Sequence, residues 1–193
     1  MDAHETHETI HEAGAKHGNR GIAILISILA AALAMSEMGG KSAQHASLAA
    51  NIEASNLWAF FQAKTVRQTV LRTAADQFDG IGPGAVPDRA EAMKTKSDRW
   101  RATIERYETE PSTGEGRVEL AARAKTAEAA RDKALAAYHL FEYGSAAFQL
   151  GIVLASASLI TAVAALAWAA GGLGILGAVL SLFGWFAPTL VHL

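Results

Sequence analysis

The chain has no cysteine among its 193 residues. That excludes disulfides, thiolate catalysis and cysteine-ligated metal, and leaves the redox compartment open. Proline is also scarce: the four are Pro83, Pro87, Pro111 and Pro188. Charge is missing from one whole region, since Tyr143 to Leu193 contains no Asp, Glu, Lys or Arg. Elsewhere the charges nearly cancel. The net charge is −2, and residues 41–142 hold 15 Lys/Arg against 14 Asp/Glu. This provides no basic face for nucleic acid, which is therefore not an expected partner.

What the chain does have is apolar length. A helix needs about 20 apolar residues to cross the hydrocarbon core. Residues 143–193 are long enough to cross twice, and the cluster Gly171, Gly172, Gly174 predicts the re-entry between crossings. A second apolar block covers 21–38. Lys16 and Arg20 precede it and Ala32-Leu33-Ala34 resembles a cleavage site. Its length and its acidic, His-rich lead nevertheless predict an uncleaved span rather than a signal peptide. Gly39-Gly40 is expected to end or bend that helix. The resulting order is a polar tail (1–20), a first span (21–40), a helical stalk region (41–142) and a membrane hairpin (143–193). The fold class is all-α: an integral membrane protein with three transmembrane helices and a long, coiled-coil-like extramembrane stalk.

Inside the stalk region, 43–78 lacks Gly and Pro, and its large apolar residues recur at helical spacing. Residues 79–87 hold three Gly and two Pro and read as a loop. Asp88 is a fair N-cap for a helix to about Glu110, followed by a loop at 111–116. Residues 117–170 read as one helix, roughly 80 Å long, with the last span running from about Leu173 to Phe186. Trp168 and Trp185 suit an aromatic belt at the hairpin's ends. The stem alanines 121, 124, 127, 130, 134 and 137 permit close helix approach but bury little area, so the stem needs a partner. That partner is either the 43–78 helix folded back or a neighbouring copy.

Residues with chemistry are few. His7-Glu8-Thr9-Ile10-His11 matches H-E-x-x-H, which on a helix sets two imidazoles on one face for zinc with Glu as base. Here the motif lies in an overlapping His-Glu run without a surrounding fold, so His7, His11 and Glu8 are at most weak metal ligands. No metal, cofactor or catalytic set is expected, and the chain reads as a non-enzyme. Glu37 closes the first apolar block. Its position at the helix end places it in the headgroup layer, within reach of Lys41. The other spans carry no ionisable group, which disfavours ion or proton transport. Trp58, Phe61, Lys64 and Arg67 form the most distinctive polar–aromatic segment. The two cations are expected to meet Glu105, Glu108 or Glu110 on an antiparallel helix. Gly174, Ala178 and Ser181 form a small-residue face for tight packing in lipid, within the hairpin or between subunits.

The order of segments, the core W-x-F-F-Q-A-K-x-x-R (58–67) and the run Q-L-G-I-V-L-A-S (149–156) resemble the bacterial membrane family called domain of unknown function 4337. The resemblance covers nearly the whole chain and implies no activity. The expected role is a structural or assembly membrane protein, as a homo-oligomer or accessory subunit of a larger membrane complex, with lipid as its surroundings. A membrane-bound metal-dependent hydrolase and an oligomeric pore or transporter component are the alternatives. The expected location is the bacterial inner membrane, multi-pass, with the N-terminus cytoplasmic because Lys16 and Arg20 outnumber Lys41.

Overall fold

The computed structural model describes the backbone of residues 3–190 and the side chains of residues 20–190. His7, Glu8 and His11 lie outside the described side chains. The described residues are all-α. Helix α1 (Ala3–Ile81) is followed by a 3₁₀ turn (Gly82–Gly84), α2 (Pro87–Glu108), α3 (Arg117–Thr161) and α4 (Ala164–Phe186). Three of these, α1, α3 and α4, are long and apolar enough to cross a membrane. The chain divides into two compact units, Met1–Ser47 with Asp132–Leu193 and Leu48–Arg131. We call them the apolar and the charged unit.

In the apolar unit, α1 does not break at Gly39-Gly40, contrary to the sequence expectation. The two glycines serve close approach instead. A Cβ on Gly39 would stand 2.7 Å from Phe141 Cε1, and one on Gly40 would be 3.3 Å from Phe141 Cβ. Glycine's cost in a helix interior, about 1 kcal/mol, is offset here by a ring laid against the backbone. The turn between the second and third spans is also displaced. It lies at Ala162-Val163, not at Gly171–Gly174, which sit inside α4. Ala162 takes a left-handed φ of 56°. Its N–H donates to Ser158 O at 2.9 Å, and Ser158 Oγ donates to Val163 O at 2.9 Å. Serine and backbone thus close a turn that no Gly or Pro announces. At 23 residues α4 is about 35 Å long, enough for a full crossing. Trp168 and Trp185, both exposed, mark the two ends of α4 rather than of the whole hairpin.

The buried glycines of α4 face the other spans. Gly174 lies against Leu29, Gly177 against Phe148 and the Gly144 carbonyl, and Gly184 against Phe141. Ser181 Oγ donates to Ser36 Oγ at 3.0 Å. Gly174 and Ser181 are therefore used within the chain, whereas Ala178 is exposed.

In the charged unit, α1 packs on α3 through Ala54, Leu57, Leu120, Ala124 and Ala127, with Trp58 and Phe61 against this core. The folded-back partner for the alanine face is thus α1 of the same chain. Helix α2 begins at Pro87, its first helical residue, with Val86 at the cap position instead of Asp88. It packs its Trp100 on Phe78 of α1, ring centroids 5.0 Å apart.

The contact at Gly39 generates a prediction. Gly39→Ala is expected to destabilise the three-helix packing by about 1–3 kcal/mol through overpacking, and Phe141→Leu should restore most of the loss in the double variant. Thermal unfolding in detergent of the four proteins of the cycle checks this. Additive losses would show that residue 39 and the ring do not meet.

Candidate functional site

Two arrangements carry the polar chemistry of the described residues, one in each unit. In the apolar unit a hydrogen-bonded hub joins all three spans. Ser36 Oγ on α1 donates to the Phe141 carbonyl on α3 at 3.0 Å and accepts from Ser145 of α3 and Ser181 of α4, each at 3.0 Å. Ser36 is 1 % exposed. The donation to Phe141 O takes up an acceptor lone pair that α-helical bonding leaves free. Gly144 makes room for the hub, since a Cβ there would be 2.6 Å from Ser181 Oγ.

Beside the hub lies an open groove of about 470 Å³ between α1 and α3. Its floor is Ser36, Gly40, Phe141 and Ser145, and its walls carry Glu37, Lys41, Gln44, Tyr138, Glu142 and Gln149. Glu142 lies 3.5 Å from His139 Nδ1. Glu37 is exposed, and the pairing with Lys41 that the spacing suggested is not made.

In the charged unit the distinctive aromatic segment holds two cations. Lys64 is 4 % exposed, with Nζ 3.8 Å from Glu110 and 3.9 Å from Glu115. The ammonium also lies 5.1 Å from the Phe60 ring and 5.4 Å from the Tyr107 ring. The second cation is Arg117, not Arg67, which is exposed. Arg117 Nη1 donates to Gln68 Oε1 at 2.6 Å and Glu108 Oε2 at 2.8 Å, and its guanidinium covers the Phe61 ring at 4.8 Å. Gln68 Nε2 donates onward to Ile104 O at 3.2 Å and Glu108 Oε2 at 2.9 Å. Trp58 Nε1 donates to Glu128 Oε1 at 2.9 Å, and its ring meets Phe61 edge-on at 5.4 Å. Of the expected anions, Glu110 meets Lys64 and Glu108 meets Arg117. These hydrogen bonds and ion pairs join α1 to α2, to α3 and to the segment between them, and Arg117–Glu108 joins α3 to α2, so the set clamps three helices. Among the described residues, no group of three or more His, Asp or Glu side chains is placed to hold a metal ion.

The sequence reading missed Arg117, Gln68, Tyr107 and the serine hub. Gln68 follows Lys64 by four residues and so shares its helix face. Ser36, Gly39 and Gly40 likewise lie within about one turn on a small-residue face. Both signals were present in the spacing.

At the α1–α2 turn, Arg101 Nη2 donates to Asp79 Oδ2 at 2.5 Å and Ser97 Oγ donates to Oδ1 at 2.7 Å. Chiefly through the Arg101 hydrogen bond, and then through Ser97, the Asp79 carboxyl is held below the usual aspartate range. A group whose pKa folding lowers stabilises the fold above its unfolded pKa, and that contribution is lost as pH falls through the lowered value. Protection of the amides across residues 79–100, measured relative to their intrinsic exchange rate at each pH, is accordingly expected to fall on acidification. The acid response should be shallower in Asp79→Asn. Hydrogen exchange at matched pH values checks this, and identical responses in the two proteins would contradict it.

A family model with the description Domain of unknown function (DUF4337) matches residues 18–187. Neither curated proteins nor solved structures give a match to this chain.

Proposed function

The chain belongs to that family, whose description carries no activity, and we propose that it is a structural membrane protein that assembles with further copies of itself. One observation carries this reading: within the charged unit, α1 is apolar on two opposite faces and only one is covered. The covered face holds Ala54, Leu57 and Ala75. On the opposite face Leu48, Ile52, Val66 and Val70 are 57 %, 53 %, 63 % and 61 % exposed.

This stripe has a regular period. Leu48, Ala59, Val70 and Ile81 are spaced by eleven residues, and so are Ile52 and Ala63. An eleven-residue period corresponds to 3.67 residues per turn, close to the natural helix, so such a stripe stays on one side and supports a shallow right-handed supercoil. Leu48, Ile52, Ser55, Ala59, Ala63, Val66, Val70, Thr73 and Gln77 lie along it, and none is charged. A second copy presents the same uncharged stripe. The two can pair about a two-fold axis without like-charge repulsion, the self-complementary contact of a symmetric dimer. In water, contiguous exposed apolar surface of this kind marks an interaction site.

The location that goes with this reading is the cell membrane, with the N-terminal side cytoplasmic because Lys16 and Arg20 flank the first span there. Three crossings then leave Ala85 and Thr189 together on the opposite side from Ala3. Single-cysteine labelling suits this cysteine-free chain. Labelling of Ala3→Cys and Ala85→Cys from the same side would overturn the topology.

Assembly is tested by the native mass of the detergent-solubilised protein. Val66→Glu with Val70→Glu sets like charges against each other across a symmetric stripe. This double variant is expected to have the mass of one chain, with helix content by circular dichroism unchanged. A wild-type mass equal to one chain, or an unchanged assembly in the variant, would refute the proposal.

A further inference from the structure

The groove beside Ser36 has a feature that assembly does not explain: its polar groups are stacked along the depth of the span. Glu37, Lys41 and Glu142 stand at one end, where the charged residues of α1 and α3 give way to the apolar run. Ser145 follows one turn further along α3, and Gln149 another turn beyond it. Glu142 and Gln149 are seven positions apart, about 10 Å along the helix axis. The headgroup layer on each face of a bilayer is only some 5–8 Å deep. With Glu142 in that layer, Gln149 reaches the top of the hydrocarbon, where an exposed amide is costly without a partner.

Four of the wall groups are also uncommitted, while Glu142 has His139 Nδ1 at 3.5 Å. Among the described residues, the side chains of Glu37, Lys41, Gln44 and Gln149 have no hydrogen-bond or ion-pair partner within the protein. The groove therefore offers two carboxylates and one ammonium at its mouth, with a hydroxyl and an amide deeper down. Two anions against one cation disfavour a purely anionic ligand. They suit a zwitterion that carries a hydrogen-bonding ammonium and a phosphate.

We propose that this groove binds one phospholipid with a primary-amine headgroup, of the phosphoethanolamine class. Its ammonium sits between Glu37 and Glu142, its phosphate meets Lys41, and Gln149 donates to a glycerol ester. A volume of about 470 Å³ accommodates a headgroup and glycerol but not the acyl chains. The chains lie outside, along exposed apolar residues of α3 such as Leu150 and Val153. The depth of the polar column selects a lipid over a free amine, because a soluble headgroup fragment reaches the charged mouth but leaves Gln149 unpaired. A trimethylated headgroup lacks the N–H donors that two carboxylates call for, and the groove wall provides one tyrosine rather than an aromatic cage.

The test uses the full-length protein, delipidated and reconstituted in nanodiscs of equal parts dioleoyl-phosphatidylethanolamine, -phosphatidylcholine and -phosphatidylglycerol. Lipid retained after release from the disc is read by native mass spectrometry. The expected result is at least fivefold enrichment of the ethanolamine lipid over either of the others. Glu37→Gln with Glu142→Gln should abolish that preference. Gln149→Leu, which suits the surrounding lipid and leaves the hub intact, should lower total retention severalfold while preserving the preference. Free phosphoethanolamine at millimolar concentration should not displace the lipid. Equal retention of the three lipids by the wild type, a phosphatidylglycerol preference, or an unchanged preference in the double carboxylate variant would each overturn the proposal. Displacement by free phosphoethanolamine would reassign the site to a soluble ligand and overturn it as a lipid site.

Discussion

The apolar unit depends on one contact: the Phe141 ring wedged against glycine backbones of two other spans. Gly39 and Gly40 of α1 and Gly184 of α4 all meet this residue, and its carbonyl accepts from Ser36. Lipid tails are as apolar as leucine, so in a bilayer no hydrophobic force drives helices together. Close van der Waals packing and interhelical hydrogen bonds must do it. Glycine brings backbones near enough for many short contacts, and the serine hub adds direction. Each serine bond is modest, of order 0.6–2 kcal/mol in membranes. Together they fix which face of each span turns inward, because Ser36, Ser145 and Ser181 converge in one arrangement only.

The charged unit meets the opposite problem, with water available but little apolar area to hide. Its core is mostly alanine, and a buried methyl is worth less than about 1 kcal/mol. Lys64, Arg117 and Trp58 compensate. Each places an apolar stem or ring in the helix seam while its polar end reaches a partner on another helix or, for Lys64, on the segment between α2 and α3. The buried Lys64 is costly alone, and two carboxylates with two ring faces offset that cost. Such contacts are directional. A shift of one helical turn in the α1–α3 register would part Trp58 from Glu128 and Arg117 from Gln68 at once, so the network sets register where alanine contacts would tolerate sliding.

The contrast between units explains what was legible in the sequence. The spans were readable because hydropathy and missing charge are properties of long windows, and membrane helices must satisfy their backbone internally. The Gly/Pro breaks expected at 79–87 and 111–116 were readable from local chemistry, although α1 runs on to Ile81, α2 starts at Pro87 and α2 stops at Glu108. The resemblance of segments 58–67 and 149–156 to the family was readable too. Helix ends set by tertiary contacts were not. Gly39-Gly40 and Gly171-Gly172-Gly174 read as breakers, yet a span retains its helix through glycine, and several of these sites exist to admit a neighbour's side chain. The real turn, at Ala162-Val163, is made by a serine side chain and one left-handed alanine, which no turn signature reveals. Arg117 was overlooked for Arg67 because helix-face arithmetic on α1 alone does not say where the start of α3 will stand. Of the face Gly174–Ala178–Ser181, the spacing alone did not show that two members would turn inward and one outward.

The groove and the hub have a common geometric cause. Bringing α1 and α3 together, with Gly40 against Phe141 and Ser36 against Ser145, leaves a narrow seam. Positions three and four residues away from Gly40 on α1, Glu37 and Gln44, flank that seam. Glu142 and Gln149, three and four residues from Ser145, flank it on α3 in the same way, with Tyr138 a further turn back. Long side chains that cannot enter must rise on both sides, so close packing at the floor produces a trough with polar walls. The small residues that hold the spans together in lipid thereby also shape an opening beside them. Enlarging the floor to improve packing would close the trough, which ties any occupant of the groove to the same residues that stabilise the fold.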